Sequence, residues 1–134
     1  MKGKGYIISG IQQMGVGVYD LREAWEWYIR AFGMDCRIFE DEAEARLMLP
    51  YTGGEPRSRH AVLAMNLQSG GGFEVWQHKG REPEYRDRET KLGDLGIFAC
   101  KMKVKDVDSA WRYWKANNVE VIGQPLTDPS GRKS

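Results

Sequence analysis

Net charge, cysteine, histidine and long apolar runs are all scarce in this sequence of 134 residues. Lys and Arg number 20 against 19 Asp and Glu, leaving a net charge of +1. That balance argues against the electrostatic attraction on which nucleic-acid and anionic-membrane partners depend. No stretch approaches the roughly 20 apolar residues that cross a bilayer. The start, Met1-Lys2-Gly3-Lys4-Gly5, is basic, but Tyr6-Ile7-Ile8 is too short for the apolar core of a signal peptide. Cys36 and Cys100 stand alone without metal-type spacing. They read as reduced thiols in a cytoplasmic protein, with a single disulfide as the alternative. His60 and His78 are the only histidines. Either can serve as an acid–base group near neutrality, and either equally reads as a strand-end residue.

What is present fits one domain over residues 1–134, long enough for a real hydrophobic core. Five Trp, six Tyr and four Phe imply a core built with large side chains, or an aromatic-lined cavity. An internal repeat organises the chain. Val18-Tyr19-Asp20-Leu21-Arg22-Glu23-Ala24-Trp25 lies over Val104-Lys105-Asp106-Val107-Asp108-Ser109-Ala110-Trp111, 86 residues later. In each copy an Asp (Asp20, Asp106) precedes an amphipathic stretch and is placed to cap a helix. Glu23 follows Asp20 at capping-box spacing. Leu21, Ala24, Trp25, Tyr28 and Phe32 form one apolar stripe, and Val107, Ala110, Trp111 and Trp114 the other. Gly33 suits the end of the first helix and Asn117-Asn118 the end of the second.

Strand-prone segments surround these helices: Ile7–Tyr19, Asp35–Asp41, Ala45–Tyr51, His60–Leu67 and Phe73–His78 in the first copy. Gly96–Lys105 and Val119–Gly123 belong to the second. The turns fall at Thr52–Pro56 and Ser69–Gly72. The expected architecture is α+β: two βαβββ-type units forming a cupped mixed sheet. Unit one covers about 6–80, a polar connector 81–92, and unit two about 93–134, curtailed after its helix. The two tryptophan-bearing helices are expected to be pseudo-twofold mates beside a shared β surface.

The line Gln13-Met14-Gly15-Val16-Gly17-Val18-Tyr19-Asp20-Leu21, with Tyr28 in the helix, resembles the opening of the glyoxalase/bleomycin-resistance/extradiol dioxygenase (vicinal oxygen chelate) superfamily. The resemblance covers residues 7 to about 130. It implies a site inside the cup, where metal-dependent members hold a divalent ion with up to four side chains from the first and last strands of each unit. The ion acts as a Lewis acid on two neighbouring substrate oxygens. Carried over by position, the first ligand falls on Gln13 and the next on Glu74, in Phe73-Glu74-Val75-Trp76. The third position falls on Ala99, which binds no metal, and the fourth lies on a strand beyond the sequence. Zn, Ni, Mn or Fe is the implied cofactor, although such sites take at least three protein ligands.

Two functions follow. In the first, a metal-dependent lyase, isomerase or dioxygenase uses Gln13 and Glu74 as ligands and Glu74 as the base that removes a proton beside a carbonyl. In the second, the chain sequesters a small molecule in an aromatic crevice without metal. Trp76 and Tyr51 are its candidate linings. His60, with Arg57 and Arg59, is a candidate contact for an anionic group. The expected partners are a small-molecule ligand and a second copy in a homodimer, with neither nucleic acid nor membrane.

Overall fold

The computed structural model describes residues 5, 7, 10–68, 71–84 and 86–134. Its elements are β1 (Gln13–Gly17), α1 (Leu21–Phe32), β2 (Cys36–Glu44), β3 (Ser58–Met65), β4 (Gly72–His78) and α2 (Val107–Ala116). The four strands form one open mixed sheet in the order β1-β4-β3-β2. β1 runs parallel to β4, and the other neighbours are antiparallel. This is the complete βαβββ arrangement expected of the first unit.

Alternation sorts the strands into two faces. Val62, Ala64, Phe73 and Val75 turn toward α1 and form the core with Leu21 and Met34. Met14, Val16, Ala24, Trp25, Tyr28 and Phe32 pack around them. Leu21, Val62 and Val75 are fully buried, each worth about 1.5–3 kcal/mol of apolar transfer free energy. The opposite face carries Gln13, Glu74, Trp76 and His78, with Arg59, Ala61 and Leu63 beside them in register. An extra residue, Ile38, breaks the β2–β3 register, after which Phe39, Asp41 and Ala43 join this second face.

The repeat is visible in local chemistry. Asp20 accepts a hydrogen bond from the Glu23 amide at 2.9 Å, and Asp106 accepts one from the Ser109 amide at 2.6 Å. Both caps have extended backbones. Trp25 Nε1 donates to the Met34 carbonyl and Trp111 Nε1 to the Gly123 carbonyl, each reaching past the end of its own helix. Gly33 ends α1 in the left-handed region at φ 63°, and Asn118 has φ 55° just beyond α2.

The environments of the helices differ, so the expected pseudo-twofold mates beside a shared β surface are not found among the described residues. α1 packs on β3 and β4. α2 buries none of its residues and docks on the last turn of α1. There Tyr113 Oη donates to the Arg30 carbonyl at 2.7 Å and Trp114 Nε1 to the Ala31 carbonyl at 2.6 Å. Asn66 Nδ2 donates to the Phe32 carbonyl at 2.9 Å. The carbonyls that a helix end leaves open are thereby satisfied.

Three expected strands do not form. Ala45–Tyr51 is instead a 3₁₀ turn, Arg46–Tyr51. Met48 N closes on Ala45 O and Thr52 N on Leu49 O, and Pro50 has no amide to give a ladder. Gly96–Lys105 and Val119–Gly123 are irregular because no neighbouring strand meets their backbone groups among the described residues. The second unit therefore contributes its helix and a short hairpin in which Thr127 pairs with Lys133. Tyr6, Ile8 and Ser9 of the Ile7–Tyr19 segment lie outside the described residues, as do Ser69 and Gly70 of the expected turn. Cys36 and Cys100 are both free thiols. Among the described residues no helix is long and apolar enough to cross a membrane.

Candidate functional site

The face turned away from α1 brings Gln13 and Glu74 together. β1 lies parallel to β4 with Gly15 opposite Glu74 and Gln13 opposite Gly72. Both side chains leave the same side of the sheet, and Gln13 Nε2 donates to Glu74 Oε2 at 2.5 Å. Leu63 is the ladder partner of Glu74 on β3, and Phe39 of β2 extends the row. The adjacent row runs Gly17, Trp76, Ala61, Asp41. Ala61 and Leu63 are buried and give this face an apolar floor.

Trp76 is not bare. The Arg59 guanidinium lies over its ring, 4.9 Å from the centroid, a cation–π contact. Arg59 Nη2 also donates to Asp41 Oδ2 at 2.8 Å, and its side chain is only 18% exposed. The His78 ring lies 6.0 Å from the Trp76 ring. Beyond it, Tyr51 and Arg57 line a small pocket of about 200 Å³ that also includes His78. Tyr51 is thus joined to the Trp76 face through His78.

His60 goes elsewhere. It is opposite Gln77 and Glu42 in the ladders, on the α1 side of the sheet. Its Nε2 is 2.8 Å from Glu40 Oε1. The same carboxylate accepts from Arg22 of α1 at 2.8 Å and from Arg37 at 2.6 Å. The hydrogen bond from His60, then that from Arg37, holds the Glu40 carboxyl below its ordinary range. His60 therefore ties β3 to β2 and, through Glu40, to α1, and it is not brought to Glu74.

A larger open cavity of about 800 Å³ lies where β1 and β4 begin, between Gln13, Met14 and Phe73 on one side and Ala99, Cys100 and Met102 on the other. Gln13 and its repeat-related position Ala99 thus line one space.

The Glyoxalase/Bleomycin resistance protein/Dioxygenase superfamily matches this sequence over residues 10–134. The chain belongs to that superfamily. Its fold is similar to the crystal structure of a glyoxalase family protein from Bacillus cereus, with a TM-score of 0.66 and 14% sequence identity. The match covers 91% of this chain and 80% of the Bacillus chain. No protein of curated function matches the chain.

For a member of this superfamily the donor set is the decisive test. Gln13 and Glu74 converge, but no group of three His, Cys, Asp or Glu able to hold a metal occurs among the described residues. Ala99 offers no donor. The exposed Cys100 lies across the 800 Å³ cavity, which Glu74 does not line. Two oxygen donors fall short of the three that protein sites for these metals use. Among the described residues, therefore, the donors do not make up a whole metal centre.

Of the residues singled out in the sequence, Gln13, Glu74 and Trp76 share one sheet face, and Arg59 lies on that face while His60 does not. Asp41, which pairs with Arg59, and Arg81, which lines the small pocket with His78, were not singled out in the sequence. The alternation of Arg57, Arg59 and Ala61 against His60 is the signal that separates their faces.

Proposed function

We propose that this chain binds a small organic molecule on the sheet face carrying Gln13, Glu74 and Trp76, without needing a resident metal ion. The observation that carries this reading is that Gln13 and Glu74 meet with no third metal donor grouped beside them among the described residues. Next to this pair, buried Ala61 and Leu63 supply apolar floor, and Trp76 with Arg59 supplies a flat, charged wall. Such a mix of apolar lining and a few placed polar groups is what small-molecule sites consist of. Trp76 and Tyr51 are the proposed ligand contacts, and Glu74 accepts a hydrogen bond from a ligand N–H or O–H.

The second reading is a metal-dependent lyase or dioxygenase. The convergence of Gln13 and Glu74 favours it, since turning the Gln13 amide presents two oxygens to one ion. Further donors would come from outside the described residues, as from a second copy in a homodimer. Glu74 would then also be the base.

Thermal-shift measurements on the metal-stripped chain separate the two. Stabilisation by aromatic ligands, unchanged by chelator and lost in Trp76→Ala, is the expected result. Stabilisation by Ni, Zn, Mn or Fe that disappears in Glu74→Gln would overturn the first reading in favour of the second.

A further inference from the structure

Basic side chains, with the carboxylates Glu82 and Glu84 beside them, gather where β3 begins and β4 ends. Arg59 and His78 are ladder partners there, and Arg57 enters two residues earlier. The 200 Å³ pocket at this edge is lined by Tyr51, Arg57, His78 and Arg81, with Glu82 and Glu84 also in its wall. The charges are not equally committed. Arg81 is paired with Glu84 at 3.1 Å, and both side chains are largely exposed, at 64% and 84%. The Arg57 side chain is 34% exposed, and its one carboxylate partner among the described residues is Glu55, 3.9 Å away and 76% exposed. A long, solvent-screened pair of this kind neutralises little. Arg57 thus keeps a guanidinium fork shaped for a planar or tetrahedral oxyanion. The His78 ring has no hydrogen bond among the described residues, and its centroid lies 6.0 Å from that of the Trp76 ring. His78 thus belongs both to the pocket and to the strand face that carries Trp76.

We propose that this pocket binds the anionic head, a carboxylate or a phosphate, of the ligand whose body lies on the Trp76 face. Arg57 is the principal anchor, and His78 and the Tyr51 hydroxyl are further donors. The proposal rests on the reading that the sheet face binds a small molecule. It adds the charge of that molecule and the end at which the charge sits.

Titration calorimetry with benzoate, phenyl phosphate and neutral benzamide tests it on the full chain, its Arg57→Gln variant and its Arg57→Lys variant. The expected result is tighter binding of at least one anion than of benzamide. Arg57→Gln should weaken that anion about tenfold or more, the range for a hydrogen bond to a charged group. Benzamide binding should stay unchanged, and Arg57→Lys should retain part of the preference. Whichever anion binds more tightly tells a planar head from a tetrahedral one. An amide NMR titration of the unmutated chain with benzoate stays informative even if Arg57→Gln fails to fold. Shifts should concentrate at Thr52, Arg57, Trp76 and His78 and be small at Gln12 to Met14. Equal affinity for anions and benzamide, no loss in Arg57→Gln, or shifts elsewhere would overturn the anion pocket while the sheet-face reading stands. Binding of none of the three probes would overturn both.

Discussion

Gly72 has no room for a side chain. A Cβ built there would lie 2.5 Å from the Ala64 carbonyl oxygen and 2.6 Å from Met65 Cγ. The carbonyl belongs to the neighbouring strand and cannot move without disturbing the ladder. Gly72→Ala is expected to destabilise the fold by about 1–3 kcal/mol, the usual cost of overpacking, seen as a lower denaturation midpoint. Because Gly72 is the ladder partner of Gln13, the same change should also weaken binding on the sheet face. Glu40 supplies a second test at this scale. Its carboxyl titrates below the ordinary range because His60, Arg37 and Arg22 favour the charged form. A carboxyl depressed in the folded state stabilises the fold above its unfolded pKa, and that contribution disappears as pH falls through the folded value. Denaturation followed from neutral into acid pH should therefore show part of the acid loss of stability removed in Glu40→Gln. Equal acid sensitivity of both proteins would count against the cluster.

The two repeat helices share caps but not surroundings, and that difference is measurable. Removing an Asp N-cap costs about 1 kcal/mol where the helix folds with the rest of the domain. Asp20→Ala should lower global stability by that amount, because α1 carries Leu21 into the core. Asp106→Ala should act mainly on α2, which is held by contacts such as Tyr113 and Trp114 on the end of α1. Chemical denaturation read by core fluorescence should show the larger shift for Asp20→Ala, while hydrogen exchange within 107–116 should quicken only in Asp106→Ala. The helices, their caps and the period-two strands β3 and β4 were legible in the sequence because each rests on neighbours a few residues apart. Ala45–Tyr51 was misread as a strand: its apolar run matched the pattern, yet Leu47 is 95% exposed and the segment closes on itself as 3₁₀ turns. Gly96–Lys105 was misread for another reason, since β propensity gives no strand without a partner to complete the ladder.

Across the whole molecule, stability is unevenly distributed. β3 and β4 are the inner strands of the sheet, whereas no backbone amide in 96–105 donates to another backbone group among the described residues. Hydrogen exchange should show slow amides in 61–64 and 73–76 and fast ones throughout 96–105. Slow exchange in the latter would mean that the segment is paired in solution with a strand outside the described residues. Sequence alone determined the two helices, their caps and which residues alternate within a strand. Those features depend on local hydrogen bonding and on the fixed periods of helix and strand. Only the tertiary structure decided that Gln13 meets Glu74 across 61 residues of chain, that Arg59 covers Trp76, and that His60 serves the opposite face with Glu40. Strand order and register bring distant residues together through long-range pairing, and no local pattern specifies which strand will be the neighbour.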